Sequence, residues 1–513
     1  MKNKAIGAAS AICAAVLMTA AQAQDVVLRT QDDAIRLTGE LLSFDGSVYE
    51  LRSEIGVVKL DAALVLCEGE ACPEIEPSKD FAVTGAPGLA ELILPAALSA
   101  TGEDAFAVDT NGDTQVFNVT RDSESYAQIA ATAKSSEAAF ADLASGAGAV
   151  ALTTRGANDT ELQAFEAAGV LPLSESIIAV DGLAIVTPFN NPLPSISLLD
   201  VARIFSGQVQ NWSELGGPDL AITRYVRGSD TLIAEVFDTL VLDLAGEELS
   251  ADVVVMDSDM DLAERVANDP SAIGFKHFSD LTTARQMPII GRCGLVVSPN
   301  AFNIRAEEYP LSFRLRAVTA NRPASPFVEE LMARIPSQQV QDALAESGVM
   351  SQTLTRSPVD QQGMRFASAL QSRKIVDALP RLQAMVTEMV VSERLSSTFR
   401  FESGSRTLDE RGERDIERVA ELLMQETSDG SGKTVRVIGF TDSLGDPTLN
   451  QELSERRAQQ VLDALLAAEP ALAERVDLRP MGFGDVSPIG CDQSTTGRWI
   501  NRRVEIWISA ATR

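Results

Sequence analysis

Ala221-Ile222-Thr223-Arg224-Tyr225-Val226-Arg227-Gly228-Ser229-Asp230-Thr231 is the stretch that decides the fold of the central part of this chain. A run of strand composition, Ala221 to Val226, feeds a Gly/Ser loop, and the loop opens onto the helical run Leu232 to Leu240. The alternation recurs on both sides. Short apolar strands stand at Phe81-Ala82-Val83, Val150-Ala151-Leu152, Leu183-Ala184-Ile185-Val186 and Ala272-Ile273-Gly274-Phe275, with helical stretches between them. Strand–helix alternation predicts parallel sheets with right-handed crossovers. The block runs from about residue 80 to 350, roughly 270 residues, which exceeds one ordinary core, so two α/β lobes are expected.

The loop chemistry suits an anion. Free N–H groups at a helix start favour negative charge. Ser229 and Thr231 add hydroxyl donors, and Arg227 offers a planar fork. Thr153-Thr154-Arg155, after the strand Val150-Ala151-Leu152, is a second loop of the same kind. Either loop alone also reads as a helix cap beside a surface arginine. Two of them in one alternating block make a candidate anion crevice.

Outward from this block the pattern changes. Residues 24–76 alternate in strand fashion at Val26-Val27-Leu28, Leu37 to Leu42, Val48-Tyr49-Glu50-Leu51 and Val57-Val58-Lys59-Leu60, and Asp45-Gly46 is a hairpin signal. A small antiparallel barrel or sandwich without a chemical motif is expected there. Before it, Lys2 and Lys4, the apolar run Ala11 to Met18 and Ala21-Gln22-Ala23 read as an export signal over residues 1–23. That run is too short to span a bilayer. Residues 351–392 are polar and helical in composition, with Pro358 and Pro380 as breakers, and read as a linker with a docking helix.

Composition narrows the function. The chain has 513 residues, with 43 Lys+Arg against 73 Asp+Glu and a net charge of −30. Nucleic acid is excluded as a partner on charge, since backbone binding needs clustered cations. His277 is the single histidine, so a His-rich zinc site is not expected, and neither a metal nor a cofactor is. An enzyme is not expected either: no base accompanies Ser229, and no Gly-x-Ser-x-Gly elbow precedes His277. After loss of Cys13 with the signal, Cys67, Cys72, Cys293 and Cys491 remain, and export permits disulfides. Cys67 and Cys72 bracket a tight polar loop and favour a local bridge, with two buried thiols as the other reading. Whether Cys293 and Cys491 meet is open.

Residues 80–350 also carry Val180-Asp181-Gly182-Leu183-Ala184-Ile185-Val186, Asn191-Pro192, Ile204-Phe205-Ser206-Gly207 with Asn211-Trp212-Ser213-Glu214-Leu215-Gly216-Gly217, and Tyr309-Pro310-Leu311. In this order, with Arg227…Ser229-Asp230-Thr231, they resemble the substrate-binding proteins of ABC transporters, in the phosphate-binding, PstS-like branch. The resemblance implies a periplasmic-binding-protein fold, two lobes hinged over an oxyanion, and a transporter permease as partner. It places anion binding at Gly85, Thr154, Arg155, Arg227, Ser229 and Thr231. Three departures from the family pattern predict an altered or weakened site: Gly85-Ala86-Pro87-Gly88 lacks hydroxyls, Ala149 stands where an Asp is usual, and Asp230 replaces a Gly.

The last block, 393–513, mixes strands and helices. Ala458, Val461, Leu462, Leu465 and Leu466 form one helix face, and Val504, Ile506 and Ile508 one strand face. Gly439-Phe440-Thr441-Asp442-Ser443-Leu444-Gly445, then Asn450, Leu453-Ser454-Glu455-Arg456-Arg457-Ala458, Gly497-Arg498 and Asn501-Arg502-Arg503 resemble the OmpA-like peptidoglycan-binding domain. Phe399-Arg400-Phe401 with Ser403-Gly404-Ser405 fits its first strand and loop. A diaminopimelate stem presents an ammonium beside a carboxylate, which calls for one fixed anion and one fork-shaped cation. By resemblance these are Asp442 and Arg457, with Thr441, Asn450 and Leu453 shaping the pocket; mutual pairing of Asp442 with Arg457 is the competing reading. The Asn501–Arg503 run is expected to hold the last strand to the loop. The expected protein is periplasmic, peptidoglycan-associated and placed at the outer membrane, with phosphate or another small oxyanion as ligand. Its alternative is a ligand-free interaction body docking a protein partner.

Overall fold

The computed structural model describes residues 25–510 apart from 31–34, 45–47, 62–64, 70, 73–78, 101, 112, 280–281, 323–324, 347, 364–374, 402–407 and 431. The export signal, the Asp45-Gly46 turn and the Ser403-Gly404-Ser405 loop therefore lie outside the described residues. Two compact units form, Met1–Ser78 and Lys79–Arg513.

The first unit is one antiparallel sheet in the order Gly56–Asp61, Val48–Ser53, Arg36–Phe44, Asp25–Thr30, Val65–Glu68. Val26, Leu28, Tyr49, Leu51 and Val65 are its buried residues. The expected barrel or sandwich is corrected to an open sheet. Among the described residues the two end strands do not pair, and no second sheet faces the first. Cys67 and Cys72 are joined by a disulfide with Cα atoms 5.8 Å apart.

In the second unit, the strand of the opening stretch, Thr223–Arg227, lies parallel between Val254–Met256 and Ala272–His277. Phe81–Gly85 likewise lies parallel between Val150–Thr153 and Glu124–Ala133. The 14-residue strand Ser174–Thr187 links these halves. Its first part pairs with Ser312–Thr319 and its second with Ala272–His277. The change of partner falls at Gly182, where an added Cβ would sit 2.6 Å from Ile304 Cδ1, so only glycine lets the strand pass. The result is two α/β lobes sharing a hinge. Sites in such folds lie beyond the carboxyl ends of parallel strands. Arg227, Met256 and His277 end strands of one lobe, and Gly85 and Thr153 end strands of the other.

The C-terminal sheet runs Arg356–Pro358, Glu393–Arg400, Arg503–Ala510, Lys433–Gly439, Val476–Gly482. Side chains alternate across it, as strand geometry requires. Val437, Ile506 and Ile508 pack with the helices Glu410–Glu426 and Pro447–Ala468, while Ile438 and Trp507 face the other way. That second face is covered by Leu382, Met385 and Met389 of the helix Ile375–Met389. Within 351–392 the expected docking helix is present, and the linker part differs from expectation. These residues supply an edge strand and a covering helix to the C-terminal domain, and Pro380 lies inside that helix without ending it.

The C-terminal domain is fastened to the two-lobed part. Cys293 and Cys491 form a disulfide with Cα atoms 5.6 Å apart. In addition, arginines of the C-terminal domain reach the carbonyls at the end of the helix Ala301–Arg305. Arg411 Nη2 donates to Arg305 O at 2.7 Å, and Arg400 Nη2 donates to Ala306 O at 2.7 Å and Glu307 O at 3.0 Å. Lone carbonyls at a helix end attract cations, so these bonds are favourable. Glu307, with φ +54°, is bonded by Arg314 of the strand Ser312–Thr319 and by Arg411 at 2.8 Å. Burial alone would raise the Glu307 carboxyl, but Arg314 and Arg411 outweigh it and hold it far below the usual carboxylate range. Fully buried Arg394 pairs with Glu308 and Glu505.

Candidate functional site

The crevice between the lobes is internally neutralised. Arg155 makes two 2.7 Å bonds to Glu161 of its own lobe, and Glu161 is fixed in turn by a capping box with Asn158. Arg227 Nε lies 3.1 Å from Asp259 Oδ1, and its Nη1 donates to Met256 O at 2.8 Å. Asp259 also accepts from the His277 N–H at 2.9 Å and meets His277 Nδ1 at 3.0 Å. Burial would lower the His277 pKa, but the bond to Asp259 and the nearby Asp181 outweigh it and hold it above the ordinary value. Both arginines singled out in the sequence thus already have carboxylates.

The remaining crevice residues divide. Gly85 ends its strand, where an added Cβ would lie 2.5 Å from Leu152; its role is a close backbone approach. The next N–H, of Ala86, donates to Leu152 O at 3.1 Å. Ser229 is exposed, and Thr231 Oγ1 donates to Gly228 O at 2.7 Å. Thr154 is buried, and its Oγ1 donates to Glu235 Oε1 at 3.3 Å. Ser136 N–H, at the start of the helix Ser136–Ser145, donates to the same oxygen at 3.2 Å. The six predicted residues therefore do not close into one ring. Glu235, Ser136 and Asp259 were not singled out in the sequence; Glu235 resembles any solvent-facing helix carboxylate there.

The C-terminal pocket is built differently. The strand Lys433–Gly439 delivers Thr441 and Asp442 to its carboxyl end, and the helix Pro447–Ala468 runs beside it. Close helix–strand contact requires glycine: an added Cβ at Gly439 would fall 2.0 Å from Ser454 O. Asn450 Nδ2 donates to Asp442 O at 3.3 Å and Leu444 O at 3.0 Å and so shapes the loop, with Leu453 half-buried on the same helix. Asp442 Oδ1 accepts from Leu444 N–H at 3.1 Å, and Oδ2 from Arg502 at 3.0 Å. Among the described residues Asp442 has no ion pair with Arg457; its partner is Arg502, which also donates to Phe401 O at 3.2 Å. Asn501 bonds Ile489, Gly490 and Asp492, and Asp492 accepts from Ser443 N–H at 3.0 Å.

Arg457 is only 3% exposed, its guanidinium 5.0 Å above the Phe401 ring, and its Nε and Nη1 have no hydrogen-bond partner. Thr441 Oγ1, also buried, has none either. Burial first, and the neighbouring Arg502 second, push Arg457 down to about 10, with Asp442 opposing. Buried donors without acceptors are rare and costly. The arrangement can therefore take a carboxylate on Arg457 and Thr441 and a cation on the free lone pairs of Asp442.

Comparison with known proteins agrees with this division. The PBP superfamily domain matches residues 77–334, half of the chain, and the OmpA family matches residues 400–502. The chain belongs to the PBP superfamily and carries an OmpA domain at residues 400–502. It is 28% identical over 191 residues to the phosphate-binding protein PstS of Bacillus subtilis, covering 37% of this chain and 61% of that one. It is 35% identical over 121 residues to the outer membrane porin F of Pseudomonas aeruginosa, covering 24% and 32%. The chain thus spans less than two thirds of either relative. Among solved structures it is similar to an ABC-type phosphate transport receptor from Vibrio cholerae, with a TM-score of 0.42 and 20% identity over 52% of this chain and 98% of that one. Among the described residues no helix is long and apolar enough to cross a membrane.

Proposed function

We propose that this chain is a non-catalytic binding protein of the bacterial envelope that moors a two-lobed, phosphate-type module to peptidoglycan in the periplasm. The observation carrying the mooring is Arg457, buried with two N–H groups unbonded beside the unbonded Thr441 hydroxyl and the Asp442 carboxylate. That set is complementary to the ammonium and carboxylate of a diaminopimelate stem. Asn450 and Leu453 shape the pocket, and Arg502 positions Asp442. The OmpA domain supports this reading. Cosedimentation of the full chain with purified sacculi tests it: the protein should pellet, and Asp442→Ala or Arg457→Ala should leave it in the supernatant. Pelleting unchanged by both substitutions would refute the assignment.

For the crevice, the PstS-type fold supports an oxyanion as ligand, with Thr154 and the start of the helix Ser136–Ser145 as donors. Gly85 holds the strands together there. Arg155, Arg227, Ser229 and Thr231 line the loops without free charge, which favours weak binding of phosphate rather than tight capture.

A further inference from the structure

The Glu235 carboxylate stands out in the crevice because it crosses from one lobe to the other. It belongs to the helix Leu232–Phe237, which follows the Arg227–Thr231 loop of the lobe built on Thr223–Arg227 and Ala272–His277. Its two donors, Ser136 N–H at 3.2 Å and Thr154 Oγ1 at 3.3 Å, belong to the lobe built on Phe81–Gly85 and Val150–Thr153. Ser136 is 1% exposed and Thr154 6%, so the donors are sheltered from water. Their mutual geometry is fixed as well: Thr154 N–H donates to Ser136 Oγ at 3.3 Å. A backbone N–H at a helix start and a hydroxyl aimed at one oxygen are what an oxyanion would use, and here that oxygen belongs to the chain itself.

We propose that Glu235 is a built-in occupant of the anion crevice, an internal carboxylate that closes the two lobes without a bound anion and sets the specificity of the site against free phosphate. This rests on reading the crevice as the anion site. An incoming phosphate must displace Glu235 from both donors and then lie beside its displaced charge. A site whose competent form is rarely populated binds with an affinity reduced by that fraction. The charge balance points the same way. The crevice cations Arg155 and Arg227 are held by Glu161 and Asp259, so neither is spare to offset a second anion.

Titration calorimetry of the full-length chain with inorganic phosphate at neutral pH tests the proposal. The unsubstituted protein should bind weakly, and both Glu235→Gln and Glu235→Ala should gain roughly ten- to hundredfold in affinity, the factor an occupied site withholds. Adding Thr154→Val to Glu235→Ala should abolish the gain. Tight phosphate binding by the unsubstituted protein, equal to that of both variants, would overturn the latch while upholding the anion reading. If no form binds phosphate, amide exchange separates the two ideas. Faster exchange over the start of the helix Ser136–Ser145 in Glu235→Ala upholds the latch and discards phosphate; unchanged exchange overturns the latch as well.

Discussion

The crevice between the lobes and the pocket of the C-terminal domain contain the same kinds of residue and leave them in opposite states. In the crevice, Arg155 is hydrogen-bonded to Glu161, Arg227 is ion-paired with Asp259 although its Nε makes no hydrogen bond, and the buried Thr154 hydroxyl is bonded to Glu235. In the pocket, Arg457 and Thr441 are buried with donors unmatched. A fold tolerates an unmatched buried cation only where something outside the chain completes it or the rest of the domain bears the cost. Residue type therefore says little about whether a site awaits a ligand; the state of its hydrogen bonds says much more.

The strongest way to break this contrast is at Arg457. Each charged hydrogen bond is worth about 1.5–3 kcal/mol, so Arg457→Ala should weaken binding to sacculi by about a hundredfold or more, read as loss of cosedimentation. Next comes Glu307, where cations and carboxylate are matched at the domain junction. Glu307→Gln should cost about 3–5 kcal/mol in denaturant unfolding, as expected when one partner of a buried pair is removed. Because its folded-state pKa is depressed, its contribution is present above the ordinary Glu value of about 4.3 and is lost as pH falls toward the folded value. The variant's stability should accordingly fall less steeply in acid than the parent's. Removing the Cys293–Cys491 bridge as Cys293→Ser with Cys491→Ser should cost about 2–5 kcal/mol in the same measurement. At the small end, Ser229→Ala should change both stability and phosphate affinity by less than about 0.5 kcal/mol, since the side chain is exposed. A large loss there would return the loop to the centre of the site.

The contrast also explains what could be read in advance. The C-terminal pocket is local in sequence: Thr441, Asp442, Asn450, Leu453 and Arg457 lie on one strand end and the helix beside it, and the resemblance to the OmpA-like domain, not spacing alone, singled them out. The crevice is assembled from afar. Ser136 and Glu235 are 99 residues apart, and nothing near either announces the other. Arg227 looks free in the sequence until the fold brings Asp259 beside it. The alternating strands of the two lobes were legible because each is short, apolar and bounded by loops. For the helix Ile375–Met389 the sequence offered a docking helix but not the surface it covers. Pro380 and its polar neighbours suggested a linker with a docking helix, while the apolar stripe is explained only by the far face of a sheet formed later in the chain. Arg502, expected in the sequence only to hold the last strand to the loop, donates both to Phe401 O and to Asp442.

The arginine clamp at the junction has a mechanical consequence. Arg400 and Arg411 grip the helix end next to Glu307, and Glu307 is bonded to Arg314 on Ser312–Thr319, the strand paired with the first part of the one that crosses between the lobes. Cys491, bonded to Cys293, precedes Asp492, which accepts from the Ser443 N–H in the Asp442 loop. Tension arriving at the pocket would thus pass through covalent and ionic links straight to the pivot of the two lobes. Those links make the junction around Glu307 the place where the C-terminal domain bears on the two-lobed part.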